Sequence, residues 1–219
     1  MPSRVVSHLK FPLLLLAALI ASASVSSSLR AEESDQWQFR EREITTSDRL
    51  RDGAVVFGIA AVLYPITQPA ILKGEIGSWR KYRQNFGTLV FDQDEPFWNF
   101  LVHPLSGSQM FLYYRGRGYR EMDAVVMTAL STALFEFTIE IFSEPASAQD
   151  LFNTPVLGSI LGYGIEKASF ALLNSGTPTG EVVAHIINPT TLFSYHSARP
   201  RITPILTSRA KGINLVVDF

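Results

Sequence analysis

The sequence predicts a mainly α fold, a compact bundle of apolar helices with a short C-terminal β-hairpin. Three observations predict it. Long apolar runs of helix-forming composition recur between residues 53 and 187, punctuated by Pro and Gly. Hydrophobic residues make up 47% of the 219 residues and charged residues only 18%, against roughly 25% in an ordinary soluble domain, which excludes disorder as the main state. In the last stretch the period changes to two: Ile213, Leu215, Val217 and Phe219 alternate with Asn214, Val216 and Asp218.

Composition also closes several function classes. There is no cysteine, so disulfide partners, thiolate metal sites, a cysteine nucleophile and a lipidated cysteine are excluded. The net charge of −1 gives no reason to expect nucleic-acid binding.

The elements follow in order. Arg4, His8 and Lys10 precede an apolar run from Leu13 to Ile20 and the small residues Ala21-Ser22-Ala23. That is the plan of a secretory signal peptide over 1–23, with a second cleavage site as late as Ala31; an uncleaved anchor is the alternative, but the run is short of the ~20 residues a span needs. An exported, periplasmic and outer-membrane-associated chain is therefore expected. Residues 32–52 read as a polar lead-in, in which Ser47-Asp48 is placed to cap a helix. The helical domain is expected over 53–196. Pro65 and Pro69 should divide Gly53–Leu72 into a helix and a short extended piece, in a buried or membrane-lying setting rather than a span. Phe97–Tyr114 reads as a helix with a local break at Pro104, and Asp123–Phe142 as the clearest helix of the chain. Ser147–Thr154 reads as a loop, with Pro155 in the first turn of a helix over Val156–Asn174. A short helical stretch, Glu181–Ile187, stops at Asn188-Pro189, and 197–219 forms the β tail.

The chemistry-bearing residues stand out by their surroundings. Glu136 and Glu140, four apart, share one face of an otherwise apolar helix, and Glu166 lies in another. Asn99, His103 and Ser106 recur at spacings of four and three on the preceding segment. A buried carboxylate without a partner costs several kcal/mol, so these groups should meet each other or a cation. Arg115, Arg117 and Arg120 are candidates to neutralise the acids in a buried ion-pair network. His103, Glu136 and Glu140 are candidate ligands for a divalent metal, or candidate acid–base residues of an enzyme. A third alternative holds the acids protonated. No His-Glu-x-x-His or Glu-x-x-His motif accompanies them. Gly158 and Gly162 form a Gly-x-x-x-Gly pattern that permits close helix approach. Gly116-Arg117-Gly118 is too short for a phosphate loop, and Ser106-Gly107-Ser108 lacks the strand–turn–helix frame of a serine hydrolase. His185 and His196 read as surface or packing residues.

One ordered series of motifs resembles a known family. It runs Asp92-x-Asp94, Asn99-x-x-x-His103-Pro104-x-x-Gly107, Tyr113-Tyr114-Arg115-x-x-Gly118, Glu136-x-x-x-Glu140, Pro145-Ala146-Ser147-x-x-Asp150-Leu151-x-x-Thr154-Pro155-x-x-Gly158, Gly162 and Ile187-Asn188-Pro189. Across roughly residues 80–195 it resembles the bacterial envelope family catalogued as domain of unknown function 3943. The resemblance implies an exported protein of Gram-negative bacteria, with a helical region often followed by a β-rich C-terminal part. It brings no activity. The residues matching its pattern are Asn99, His103, Arg115, Glu136, Glu140, Asp150 and Thr154. The tail after residue 197 has room for one hairpin, not for the eight strands of a small barrel.

The expected function is thus a structural or interaction domain of the envelope, with membrane lipid or an envelope protein as partner. Its polar network would comprise Asp92, Asp94, Asn99, Arg115, Arg117, Asp150, Thr154 and Glu166 beside His103 and the two glutamates. An enzyme acting on an envelope lipid or glycan, and a lipid or small-molecule binder, are the alternatives.

Overall fold

A computed structural model describes residues 37–74, 76–91 and 94–193, together with the backbone of 200–206 and 211–217. The expected signal peptide over 1–23, the site at Ala31, Asp92, His196 and Phe219 lie outside the described residues.

The chain is mostly helical, as expected. Helix α1 (Thr46–Thr67) starts seven residues earlier than the apolar run, because Thr45 caps it. The Thr45 hydroxyl accepts from the Asp48 N–H at 3.1 Å, and the Asp48 carboxylate accepts from the Thr45 N–H at 3.1 Å. This reciprocal box replaces the expected cap at Ser47-Asp48: Asp48 takes part, but from the third helical position. Pro65 lies inside α1, and the break falls at Gln68. The expected extended piece is a single helical turn, Pro69–Leu72.

A seven-residue helix, α2 (Trp79–Asn85), follows behind an Ser78 cap, and then strand β1 (Leu89–Val90). Next comes a π-helical turn, Trp98–Val102, leading directly into α3 (His103–Gly116). Pro104 has no N–H to give to the preceding turn, and the chain meets it with a widened turn instead of the expected break. Helix α4 (Glu121–Thr138) ends in a tight 3-10 turn, Glu140–Phe142, so the segment expected to be one helix changes pitch between its two glutamates. Strand β2 (Ala146–Ser147) pairs in parallel with β1.

The segment 147–154 is not a loop. Helical structure resumes at Asp150–Phe152, widens into a second π-turn at Asn153–Leu157 around Pro155, and continues as α5 (Gly158–Leu173). Helix α6 (Pro178–Ile187), capped by Thr177, folds back on α5. The expected C-terminal β-hairpin is not supported as part of this fold. The backbone of β3 (Pro200–Leu206) and β4 (Lys211–Val217) is extended and antiparallel. A two-stranded ribbon alone is marginal, and the one sheet built into the described helical body is the parallel pair β1–β2.

Two parallel helix pairs organise the body. Helices α1 and α4 run the same way: Gly53 lies beside Met127, and the Tyr64 ring meets Phe135 edge-on at 5.2 Å. Helices α3 and α5 run together in the other direction, with partners at a constant offset of 51 residues. Gly107 touches Gly158 and Phe111 touches Gly162, so the Gly-x-x-x-Gly pattern does bring two backbones together.

Burial is inverted. The interior holds Ser108, Thr128, Ser131, Thr132, Glu136 and Glu166, all at most 6% exposed. Large apolar side chains face outward instead: Ile59, Val62 and Ile66 on α1, Leu130 and Leu134 on α4, Ile160 and Leu161 on α5. An apolar cluster of Val56, Phe111, Tyr114, Tyr119, Ala124 and Met127 fills the centre.

Candidate functional site

The second π-turn packs against the start of α3, and several of the predicted polar residues gather there. On one side, the turn before α3 carries the buried Asn99 and delivers His103. On the other, Ser147 Oγ accepts from the Asp150 N–H at 3.2 Å and starts the helical turn that presents Asp150, Asn153 and Thr154. Gly107 sits against the Thr154 carbonyl, close enough that no side chain fits between them. That contact sets the distance across which His103 works.

His103 bridges the two turns. Its Nδ1 lies 3.1 Å from Thr154 Oγ1 and its Nε2 lies 3.3 Å from Asp150 Oδ1. Asp150 and Thr154 are one turn apart on the same face, so a single imidazole reaches both. The His103 side chain is 20% exposed while that of Asp150 is 7% exposed, so the pair stands at the edge of the interior.

The glutamates form the adjoining part. Glu136 Oε2 accepts from the Ser147 N–H at 3.1 Å. Glu140 is buried beside Glu136. Ser147 is thus the link: its N–H serves Glu136 and its hydroxyl serves Asp150. The structure brings His103, Asp150, Thr154, Ser147, Glu136 and Glu140 into one chain of contacts. The imidazole faces Asp150 and Thr154, while Glu136 faces Ser147 and Glu140. Among the described residues, no group of three His, Asp or Glu side chains is arranged to hold a metal ion.

The arginines serve a second, separate network nearer the other end of the bundle. Arg115 makes a bidentate pair with Glu166, Nε to Oε1 at 2.9 Å and Nη2 to Oε2 at 3.1 Å. Its remaining nitrogen donates to Tyr119 O at 3.0 Å, and its guanidinium stacks 3.5 Å above the Phe39 ring. A buried guanidinium with all three nitrogens bonded is a fixed structural element. Arg117 Nε lies 3.3 Å from Asp52 Oδ1, and the Tyr119 hydroxyl donates to Asp52 Oδ2 at 3.2 Å. Burial beside the Asp52 and Asp48 carboxylates pushes the Tyr119 phenol well above its usual range. Arg120 pairs with Glu41 at the surface. Asp94 is exposed, and Ser106 is exposed on the outer side of α3. His185 is a packing residue, bonded to Thr191 at 2.7 Å and edge-on to Trp37.

Sequence reasoning gave Asp48 only a capping role and missed Asp52, placing both in the polar lead-in although both are buried. It also missed Ser147 and Asn153. The signal available for Asp52 was its position one turn ahead of the first apolar residues of α1. For Ser147 and Asn153, Pro145 and Pro155 around them pointed toward a loop.

No curated protein and no solved structure matches the chain. Residues 88–190, which hold both π-turns and helices α3, α4 and α5, match the model of the family described as domain of unknown function (DUF3943), the one its motif order resembles.

Proposed function

We propose that this chain is a membrane-embedded helical protein of the bacterial envelope, in a structural or interaction role, whose buried polar network fixes the register of its helices. The inverted burial is the observation that carries this reading. Water would penalise outward rows of Ile, Leu and Val; hydrocarbon accepts them and penalises the polar groups held inside. Three segments among the described residues are long and apolar enough to cross a membrane: Thr46–Thr67, Glu121–Phe142 and Asp150–Leu173, of 22, 22 and 24 residues. At ~1.5 Å per residue each exceeds a hydrocarbon core of ~30 Å. Because α1 and α4 run parallel, the chain must return between them, and the π-turn with α3 is the segment that does so. This revises the sequence expectation of a buried or membrane-lying α1. Export and outer-membrane association remain part of the proposal, and density-gradient separation of envelope membranes assigns the bilayer.

The test uses the absence of cysteine. Val62→Cys, at an outward position in the middle of the apolar run Gly53–Leu72, should resist a membrane-impermeant maleimide in intact membranes and react after detergent. Gln84→Cys, exposed on α2, should react once its side of the membrane is accessible. The protein should also stay in the pellet after alkaline carbonate. Ready labelling of Val62→Cys in native membranes, or release into the carbonate supernatant, would refute the reading.

A second reading is favoured by one specific observation, the His103 imidazole held between a hydroxyl and a carboxylate. In that reading His103 and Asp150 are an acid–base pair of an enzyme acting on an envelope lipid or glycan. Asp150→Asn separates the two. It lowers expression and melting temperature if the network is structural, and spares folding while abolishing the cellular phenotype if the acid is catalytic.

A further inference from the structure

We infer that α2, together with the aromatic residues that follow it, is an interfacial anchor that binds the headgroups of anionic phospholipids. The inference rests on the membrane reading above and adds what the protein recognises there.

Three observations place α2 at the end of a span and give its outward face a chemistry. First, α2 is tied to the last turn of the segment Glu121–Phe142. The Ser78 N–H donates to Phe142 O at 3.0 Å, Asn85 Nδ2 donates to Ile141 O at 2.9 Å, and Lys81 Nζ donates to Ser143 O at 3.3 Å. The Trp79 and Phe142 rings meet edge-on at 5.4 Å. These contacts hold α2 at the depth where a span of this length leaves hydrocarbon.

Second, most of its aromatic surface is left outside the fold, although the Trp79 ring edge touches Phe142 and Tyr82. Trp79 is 70% exposed and Phe86 is 68% exposed, and Phe91 continues the row at 80%. Aromatic rings at the end of an apolar helix suit the boundary between acyl chains and headgroups.

Third, the charge is one-sided. Arg80, Lys81 and Arg83 are all exposed on seven residues that contain no acid. Glu144, one residue beyond the Lys81 contact, is an acid beside this face. Long basic side chains run along apolar surface and put their charge at the phosphate level. A helix this polar and this short cannot enter hydrocarbon, and its aromatic and basic face fits no aqueous role as well as it fits a negatively charged bilayer surface.

The test uses the full chain in nanodiscs, with Trp37→Phe and Trp98→Phe leaving Trp79 as the single fluorophore. The discs contain equimolar phosphatidylcholine and phosphatidylglycerol, with brominated chains on one lipid or on the other. Trp79 emission should be quenched more strongly when the bromine is on phosphatidylglycerol. Added salt should reduce the preference, and each of Arg80→Gln and Arg83→Gln should reduce local enrichment by about fivefold. Both substitutions are at exposed positions, and the circular dichroism spectrum checks that the variants keep their helices. Equal quenching by both lipids would overturn the inference. Absence of quenching, in protein that still protects Val62→Cys, would also overturn it while leaving the membrane reading standing. Loss of quenching together with labelling of Val62→Cys would sink both.

Discussion

A methyl group at Gly107 tests the packing that holds the site together. The Cβ of Gly107→Ala falls 1.7 Å from Thr154 O and 2.7 Å from Thr154 C, where ordinary contact begins at 3.4 Å. The obstacle is backbone, so no rotamer change relieves it, and α3 and α5 must part by roughly 1.7 Å at the crossing. Overpacking of this kind costs about 1–3 kcal/mol, and a backbone clash belongs at the upper end. The His103–Thr154 contact lies one turn along the same seam, at 3.1 Å, and its loss adds about 1 kcal/mol. Better helix propensity of Ala returns about 1 kcal/mol. The net cost is about 3 kcal/mol, a fall in Tm of roughly 6–12 °C for a chain of this size. Gly58→Ala is the control: nothing lies within 4 Å of its added methyl, so it keeps the propensity gain without a clash. Thermal unfolding followed by near-ultraviolet circular dichroism in one detergent compares the two. A Gly107→Ala protein that melts with Gly58→Ala would refute the close approach of α3 and α5.

Other substitutions probe other parts of the fold. Arg115→Ala strands a fully buried Glu166 and should cost about 3–5 kcal/mol, whereas Arg115→Met with Glu166→Leu should recover much of it; denaturant midpoints of the three proteins decide. Thr45→Ala removes the capping hydroxyl of α1 and should cost about 1 kcal/mol, measured by the same midpoint. His185 carries a pH prediction. Burial lowers its pKa from 6.5, against a weaker opposite effect of Glu181, so the unfolded chain binds the proton more readily. The stabilisation is present above pH 6.5 and is lost as pH falls below it. His185→Gln should therefore flatten the decline of Tm on the acid side of 6.5, and an unchanged slope would count against a buried neutral imidazole.

Much of the site was legible because its polar residues interrupt apolar helices. The four-residue spacing of Glu136 and Glu140 marked one inward face, and the need of Glu166 for a cation pointed to the arginines. Which arginine served it was not legible, since Arg115, Arg117 and Arg120 all follow the same helix and only the 51-residue register of α3 on α5 selects Arg115. The π-turns were also hidden. Pro104 and Pro155 announce a disturbance in the backbone ladder, but the same residues fit a break, a loop or a widened turn. The sidedness of α1 was not legible for a different reason. In an ordinary bundle the apolar face is the inner one; here apolar residues cover the outside, and the buried Asp48, Asp52 and Val56 mark the inside.

The hydroxyls of α4 bear on how such a helix enters a bilayer. Thr128, Thr132 and Thr138 each donate to the carbonyl four residues back, so their polarity is absorbed within the helix that carries them. A lone α4 would therefore keep unsettled polarity at Glu121 and Asp123 in its first turn, at Ser131, whose hydroxyl pairs with Tyr114, and at Glu136 near its end. The first partner of Glu136 is the amide of Ser147, eleven residues further along the same chain. Helix and acid cover leave the ribosome in immediate succession. The most hydrophilic point of the span can be shielded as it arrives, before α5 exists to pack against it.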